Sequence, residues 1–393
     1  MSQQPISLSP DLSKLRDEGY EIEIVSGHLV LRSVPYVNSK KEVRRGALVS
    51  VLDLAADVAQ KPSTHVVMFA GEFPCDKHGR ALEKIRAGGG RQQISHDLIV
   101  EHTFSSKPGP SGYPDYYEKM TTYVAILASP AEAIDRDATA RTRHVIENED
   151  PEGIFNYIDT ASSRAGITAV TKKIAGQKIA IVGGGGTGSY VLDFVAKTPA
   201  AEIHVYDKDK YLQHNAFRTP GAASLAELKK IPGKAAYLHG IYSRMHRKIF
   251  PHDTFIDASN VECLRGMDFV FLCLDKGRAK QVIVEKLEAF GIPFVDVGMG
   301  VELVDQSLIG VLRVTTSTET KRDHVRSKNR ITFTGDGQED LYSRNIQIAE
   351  LNALNAALAV IKWKKHFGFY ADLEKEHFST YTIDGNKLVN EDQ

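Results

Sequence analysis

The sequence predicts an α/β protein with a doubly wound, mostly parallel sheet, preceded by a smaller α+β domain. Strand and helix patterns alternate from Gln177 onward, and a glycine-rich turn joins the first of these strands to its helix. Before residue 140 the elements are mixed and indicate no particular fold. The charged segment 141–153 carries a proline and a glycine, as connectors do. We therefore expect an N-terminal domain over 1–140, a connector over 141–165 and a second domain over 166–393.

Composition narrows the class of protein. A chain of 393 residues can form two domains with substantial cores. A net charge of −1 does not create the positive potential that attracts a nucleic acid. No apolar run approaches the ~18 residues that a membrane span needs. The first ten residues lack a secretory signal, and three cysteines form neither a disulfide framework nor a zinc motif. These features predict a cytoplasmic protein that binds neither nucleic acid nor membrane.

The first domain is predicted from local signals. Ser9 and Pro10 suit the start of a helix, and alternating residues around Ser26–Gly27 predict a hairpin. The stretch 46–59 is predicted to be mostly helical, and 65–73 to be a strand. Its role is predicted to be partner recruitment or acceptance of an acyl group.

The second domain has clearer periodicity. We predict strands at 178–182, 202–206, 268–274, 293–297 and 308–314. We predict helices at 187–197, 234–249, 276–290 and 345–365. The last helix carries an apolar stripe from Ile348 to Ile361, and Asp384–Gly385 predicts a closing hairpin.

The glycine turn follows the strand 178–182 and contains Gly183, Gly185, Gly186 and Gly188. Such a turn lets backbone N–H groups and a helix N-terminus approach the phosphates of a nucleotide. Asp207 ends the next strand, 24 residues after Gly183, where a carboxylate can bind a ribose. Up to this point a dehydrogenase and an adenylate-forming enzyme fit equally well.

Residues after this strand separate the two possibilities. Asp207, Asp209, Asn215 and Arg218 stand at relative positions 1, 3, 9 and 12. This pattern resembles the D-x-D-x₅-N-x-x-R signature of the ThiF-type family, the ubiquitin-activating adenylyltransferases and their bacterial sulfur-carrier relatives. The resemblance extends from Gln177 to Val314 and more loosely to the helix after residue 345. It also includes a lysine that opens a helix and an aspartate after an apolar strand, here Lys234 and Asp275.

The resemblance implies ATP- and Mg²⁺-dependent adenylation of the C-terminal carboxylate of a ubiquitin-like protein with a glycine-type tail, with release of pyrophosphate. A conjugating enzyme is a possible further partner, in a bacterial conjugation or sulfur-carrier pathway. The implied nucleotide-binding residues include Asp209 and the glycines of the turn, Gly183, Gly185, Gly186 and Gly188. The resemblance further implies that Asp207 binds the ribose and that the phosphates contact Asn215, Arg218 and Lys234. Asp275 is the implied magnesium ligand, and Arg218, Lys234 and Asp275 are the implied catalytic residues.

Arg164 is a further candidate, because it precedes the strand that leads to the glycine turn. Members of the family carry an arginine in this region that reaches the ATP phosphates across a dimer interface. This comparison predicts a homodimer with Arg164 as a catalytic arginine. The alternative is an arginine on the surface of a helix.

The sequence departs from the family pattern at the acyl-accepting cysteine, because 315–343 contains no cysteine. Cys75 is the remaining candidate, since Lys77 and His78 nearby would lower the pKa of an exposed thiol. Two hypotheses stay open: the enzyme only adenylates and the acyl group passes directly to a partner, or Cys75 accepts it.

Three rival functions remain. An NAD-dependent oxidoreductase would use the same turn but has no need of Arg218 and Lys234. An adenylating enzyme of the same fold could act on a small molecule or a tRNA. An inactive scaffold would not need to keep Arg218, Lys234 and Asp275 together.

Overall fold

The computed structural model describes residues 4–148, 150–275, 277–333 and 346–393. The chain divides into two compact units. The first unit comprises Met1–Pro151 and Tyr157–Gly166, and the second comprises Glu152–Asn156 and Ile167–Gln393. Within the described ranges, no helix combines the length and the apolar character needed to cross a membrane.

The first unit is built on an antiparallel sheet. Its strands are β1 (Ile22–Val25), β2 (His28–Val37), β3 (Val43–Val51), β4 (Leu54–Ala55), β5 (Val58–Ala59), β6 (Val66–Ala70), β7 (Arg86–Ser95) and β8 (Leu98–Ser105). Its helices are α1 (Gln4–Leu8), α2 (Pro10–Asp17), α3 (Tyr116–Glu132) and α4 (Thr160–Arg164), with a 3₁₀ turn at Glu83–Ile85. In the described residues the sheet order is β1-β2-β3-β6-β8-β7, while β4 and β5 pair separately. The predicted helix after Ser9 and the hairpin around Ser26–Gly27 are both present.

Helix α3 provides much of the first core. Asp115 caps its N-terminus by accepting a hydrogen bond from Glu118 N. One face buries large side chains against the sheet, and these include Tyr116, Met120, Tyr123 and Leu127. Their spacing follows the helical period, so the helix packs on the sheet along a continuous stripe.

The prediction of a helix over 46–59 is wrong. These residues form most of β3 followed by β4 and β5. Strand β3 is buried on both faces, with Leu48 in one core cluster and Val49 in another. A strand buried on both sides loses the alternation of polar and apolar residues, so its apolar run resembles a buried helix.

The second unit contains the predicted doubly wound sheet. Its strands are β9 (Lys178–Val182), β10 (Glu202–Tyr206), β11 (Ile249–His252), β12 (Phe269–Leu272), β13 (Phe294–Val304), β14 (Ser307–Ser317), β15 (Phe378–Thr382) and β16 (Lys387–Glu391). Its helices are α5 (Thr168–Thr171), α6 (Gly186–Val195), α7 (Gln213–Ala216), α8 (Leu225–Lys229), α9 (Lys234–Tyr242), α10 (Gly277–Phe290), α11 (Asp323–Ser327) and α12 (Ala349–His366). Two 3₁₀ turns lie at Lys172–Ile174 and Val261–Leu264.

The strand order in the described residues is β11-β10-β9-β12-β13-β14-β15-β16. Neighbours from β11 to β13 are parallel, and neighbours from β13 to β16 are antiparallel. Helices α6 and α12 cover one face of the sheet and α10 covers the other. The predicted fold class is therefore confirmed. The crevice expected for a ligand lies at the carboxyl ends of β9 and β12, where the strand order reverses.

Several predicted boundaries moved. The helix predicted over 234–249 ends at Tyr242, and Ile249 begins β11, which the sequence did not reveal. Residue 345, the predicted start of the last helix, and residue 276, the predicted start of another, lie outside the described residues. The closing hairpin around Asp384–Gly385 is confirmed by the pairing of β15 with β16.

Candidate functional site

The glycine turn connects β9 to α6. Gly183 has φ +101°, and a Cβ on it would lie 2.5 Å from the carbonyl oxygen of Cys273 on the neighbouring strand. A Cβ on Gly188 would lie 1.8 Å from the carbonyl oxygen of Gly183. The turn can therefore pack between its helix and β12 only with glycine at these two positions.

A cavity of about 440 Å³ opens beside this turn, at the carboxyl ends of the parallel strands. Eight of the residues predicted from the sequence line it. They are Gly183, Gly185, Gly186, Asp207, Asp209, Arg218, Lys234 and Asp275. The fold thus brings together side chains that lie up to 92 residues apart in the sequence.

Asp207 fixes the geometry on one side of the cavity. One of its carboxylate oxygens accepts a hydrogen bond from Gly184 N at 2.7 Å, and the other accepts one from Asp209 N at 2.8 Å. Burial raises the pKa of Asp207, while the charge of Lys234 and the two N–H donors oppose that shift. The two hydrogen bonds to this carboxylate fix the position of the glycine turn relative to the end of β10.

Lys234 is the first residue of α9, as predicted, and its side chain is largely buried. Its Nζ donates to Asp209 Oδ2 at 2.8 Å and lies 3.9 Å from Asp207 Oδ2. Its backbone N–H also donates to the carbonyl oxygen of Asp209 at 2.8 Å. The ammonium group is therefore held at the cavity wall beside two carboxylates.

Arg218 brings a second cation to the cavity. Its Nε is buried and has no hydrogen-bond partner among the residues that the structure describes. Burial lowers the pKa of Arg218 from its ordinary value, and the charge of Asp275 opposes this effect. An orphaned, partly buried guanidinium donor facing a cavity is suited to bind an anionic ligand.

Asp275 follows β12 and faces the same cavity. Burial raises the pKa of this carboxyl, Lys280 lowers it and Asp296 raises it further. Asp296 is fully buried and binds Lys280 and Arg313, each at 2.7 Å. No group of three His, Cys, Asp or Glu side chains in the described ranges is placed to hold a metal ion.

Two predicted residues lie behind the cavity wall. Gly188 packs inside the turn, as described above. Asn215 is 1% exposed and accepts a hydrogen bond from Leu212 N, and its carbonyl oxygen accepts one from Arg218 N at 3.0 Å. Asn215 therefore shapes the short helix α7 and the turn that carries Arg218.

Arg164 ends α4 and belongs to the first unit. There it lines a separate cavity together with Arg16 and Arg143. The predicted contact of Arg164 with a nucleotide held by a partner subunit stays a prediction.

The expectation of an exposed, activated Cys75 is wrong. The residue is 3% exposed, and its Sγ donates weakly to the carbonyl oxygen of Phe73 at 3.6 Å. Burial raises the pKa of the Cys75 thiol, and the nearby acidic residues, Asp76 first among them, raise it further. Burial likewise raises the pKa of Cys273. Neither of these two thiols has the electropositive surroundings that activate a nucleophile.

Sequence reasoning missed the contribution of α12 to the cavity. The cavity is lined by Gln347, just before this helix, and by Asn352 and Asn355 within it. The prediction for the helix rested on its apolar stripe alone. Asn352 Oδ1 accepts a hydrogen bond from Thr187 Oγ1 at 2.9 Å, and Asn355 Nδ2 donates to the carbonyl oxygen of Gly298 at 3.0 Å. The detectable signal was two asparagines one turn apart in the apolar part of the helix, residues 351–361.

Comparisons with known families agree with the motif analysis. Residues 158–317 match the model of the ThiF family, so this part of the chain is a ThiF-family domain. Residues 10–160 match a model described as a domain of unknown function, DUF6791. No protein with a curated function matches the chain significantly.

The chain is also similar to several solved structures, including those of PaaA and MccB. PaaA is 15% identical with a TM-score of 0.45, and the match covers 57% of this chain and 75% of that chain. E. coli MccB with MccA is 17% identical with a TM-score of 0.45, and the match covers 59% and 69%. E. coli MccB with ATP is 18% identical with a TM-score of 0.43, and the match covers 57% and 65%.

Proposed function

We propose that the ThiF-family domain of this chain adenylates the C-terminal carboxylate of a peptide or protein with ATP. The observation that carries the proposal is the meeting of Arg218 and Lys234 with Asp207 and the glycine turn in one cavity. A hydride-transfer site would need the turn and the ribose-binding carboxylate but has no use for two cations. Acyl adenylation uses both cations, because negative charge builds up on the phosphate oxygens and on the leaving pyrophosphate as the reaction proceeds.

The reaction is a substitution at the α-phosphorus of ATP. A carboxylate oxygen attacks this phosphorus, an O–P bond forms, and the bond from the α-phosphorus to the bridging oxygen breaks. That oxygen leaves with its electron pair as part of pyrophosphate, and the product is an acyl-adenylate. The protein supplies positioning and charge neutralisation in this step, with no protein nucleophile.

The cavity suggests a division of roles. Asp207 and the glycine turn orient the ribose and the α-phosphate, while Arg218 offers a planar guanidinium and Lys234 a compact charge to the phosphate oxygens. Asp209 holds Lys234 in place, and Asn215 supports the turn of Arg218. Magnesium, when bound, would neutralise part of the phosphate charge. The single carboxylate of Asp275 fits such an ion, because Mg²⁺ takes most of its oxygen ligands from water and phosphates.

The substrate is proposed to be a ubiquitin-like protein with a glycine-type tail, as the resemblance to ubiquitin-activating enzymes implies. The burial of Cys75 and the acidic residues beside it favour the hypothesis that this chain stops at the adenylate. The acyl group would then pass directly to a nucleophile of a partner, such as a conjugating enzyme.

ATP–pyrophosphate exchange with candidate carrier proteins tests the proposal. We expect the correct carrier to stimulate exchange far more than other carriers or free peptides do. We expect a loss of about 100-fold or more in Lys234→Ala, Arg218→Ala and Asp275→Ala, the scale of removing one charge-stabilising group. Lys229→Ala, on the exposed surface of α8, is the matched control and should keep full activity. Full exchange in the Asp275 variant would contradict the site assignment, and reduction of NAD by a substrate would contradict the proposed function.

A further inference from the structure

The strand order divides the cavity into two ends. Residues at the ends of β9 and β10 form one end, with the glycine turn and Asp207, and these suit the nucleotide. Across the cavity, beyond Asp275 on the β12 side, lie Val297, Gly298 and Met299 of β13 together with α12. When the ribose lies near Asp207 and the α-phosphate lies near the glycine turn, the second end of the cavity is left for the other reactant, the carboxylate substrate.

The second end contains an unpaired strand edge. Strand β13 pairs with β12 only through Phe294–Asp296, although it pairs with β14 along its whole length, up to Val304. From Val297 onward, the edge that faces away from β14 has no strand partner in the described part of the chain. An unpaired edge beside a ligand cavity can add an extended peptide as a further strand.

Unpartnered hydrogen-bond acceptors lie beside this edge. Asn355 is 1% exposed, and its Nδ2 donates to the carbonyl oxygen of Gly298, which fixes the orientation of the amide group. Its Oδ1 is buried and has no hydrogen-bond partner among the described residues, and the same is true of Gln347 Oε1. Buried acceptors without partners are costly in a folded protein, so two of them lining one cavity indicate a ligand that donates hydrogen bonds.

We infer that Asn355 and Gln347 determine substrate specificity by accepting hydrogen bonds from backbone N–H groups near the C-terminus of an extended peptide. This inference rests on the proposed function and narrows its substrate class. Neutral amide oxygens repel a carboxylate and attract N–H donors, so they select the peptide bonds that precede the reacting carboxylate. A small-molecule acid without peptide N–H groups would leave both acceptors unpaired. Val297 and Met299 offer the apolar contacts that a peptide strand on this edge would make.

The test uses the full-length protein and two defined peptide pools. The first pool consists of N-acetylated random hexapeptides with free C-terminal carboxylates. The second is identical except that the last two peptide nitrogens are methylated, which removes the N–H donors and keeps the carboxylate. Binding of a fluorescent ATP analogue and ATP–pyrophosphate exchange are measured for both pools.

We expect the first pool to stimulate exchange in the wild-type protein and the methylated pool to stimulate it at least about tenfold less, the scale of one lost hydrogen bond. In Asn355→Ala the KM for the first pool should rise by about the same factor, while the affinity for the ATP analogue stays unchanged. Gln347→Ala should raise the KM in the same way, and its control Gln281→Ala, on the exposed face of α10, should leave the KM unchanged. The methylated pool keeps the test valid if a variant does not fold, because it is applied to the wild-type protein.

Equal exchange with both pools, exchange driven as well by acetate as by peptides, or ATP binding without stimulation by any peptide would overturn the inference. Absence of ATP binding in the wild-type protein would instead overturn the proposed function. The two failures are therefore distinguishable.

Discussion

The glycines of the turn differ in whether close packing requires them. Gly183 and Gly188 are required by close packing, because any side chain there would overlap with backbone atoms. Gly185 lines the cavity and has φ −75°, and a Cβ on it would meet no atom within 4 Å. The fold therefore does not require glycine at this position, and we propose that the absence of a side chain at Gly185 leaves room for the ligand.

This difference predicts contrasting effects of two substitutions. Gly188→Ala should destabilise the protein by about 3 kcal/mol or more, because a Cβ 1.8 Å from a carbonyl oxygen forces the turn apart. Gly185→Ala should leave the melting temperature nearly unchanged and weaken ATP binding. Calorimetry and titration with the ATP analogue measure both effects. A Gly185 variant that unfolds, or one that binds ATP normally, would contradict the assignment.

At the scale of elements, α12 connects the cavity to the far end of the sheet. Its N-terminal half carries Asn352 and Asn355 to the cavity, and its C-terminal half carries Lys362 and Lys365. These two lysines bind Glu376, just before β15, at 2.6 Å and 2.8 Å. The ion-pair network fixes the position of the helix along the sheet, and thereby the position of the cavity asparagines.

The network predicts a pH dependence of stability. Burial by itself would raise the pKa of Glu376, but the hydrogen bonds from Lys362 and Lys365 outweigh it and lower the pKa from 4.5 to about 2. Because the pKa of Glu376 is lower in the folded state than in the unfolded state, its carboxylate stabilises the folded state at pH values above about 4.5. This stabilisation is lost as the pH falls from about 4.5 to 2. The shift corresponds to about 3 kcal/mol at most.

Urea unfolding at pH 7 and at pH 3 measures this contribution. We expect Glu376→Gln to lower the free energy of unfolding at pH 7 and to have a smaller effect at pH 3. Glu374→Gln, two residues earlier and exposed, is the control. An effect of Glu376→Gln that is equal at both pH values would show that the ion pairs do not stabilise the fold.

At the scale of the whole molecule, the chain divides into two compact units. The cavity beside the glycine turn is lined by residues of the second unit, while Arg164 belongs to the first. The family resemblance assigns an arginine from this region to the ATP site of a partner subunit. The assignment makes the homodimer, and not the single chain, the proposed active form.

Complementation between variants tests this assignment. Arg164→Ala and Lys234→Ala should each be inactive alone in ATP–pyrophosphate exchange. Random mixing of their subunits should restore about a quarter of wild-type activity, because half of the dimers would be mixed and each would hold one intact site. A mixture as inactive as its components, or a monomeric protein in solution, would contradict a role for Arg164 across a dimer interface.

The sequence by itself determined the fold class of the second unit and eight of the residues that line its cavity. The strand and helix pattern placed the glycine turn and Asp207, and the resemblance to the ThiF-type family added Arg218, Lys234 and Asp275. The tertiary structure decided what depends on neighbours distant in sequence. It showed that 46–59 forms the end of β3 followed by β4 and β5 instead of a helix, because β3 is buried on two faces and lacks the alternation of polar and apolar residues. The structure also showed that Cys75 is buried beside acidic residues. It also revealed the contribution of Asn355 and Gln347, because the packing of α12 against the sheet sets which of its polar side chains reach the cavity.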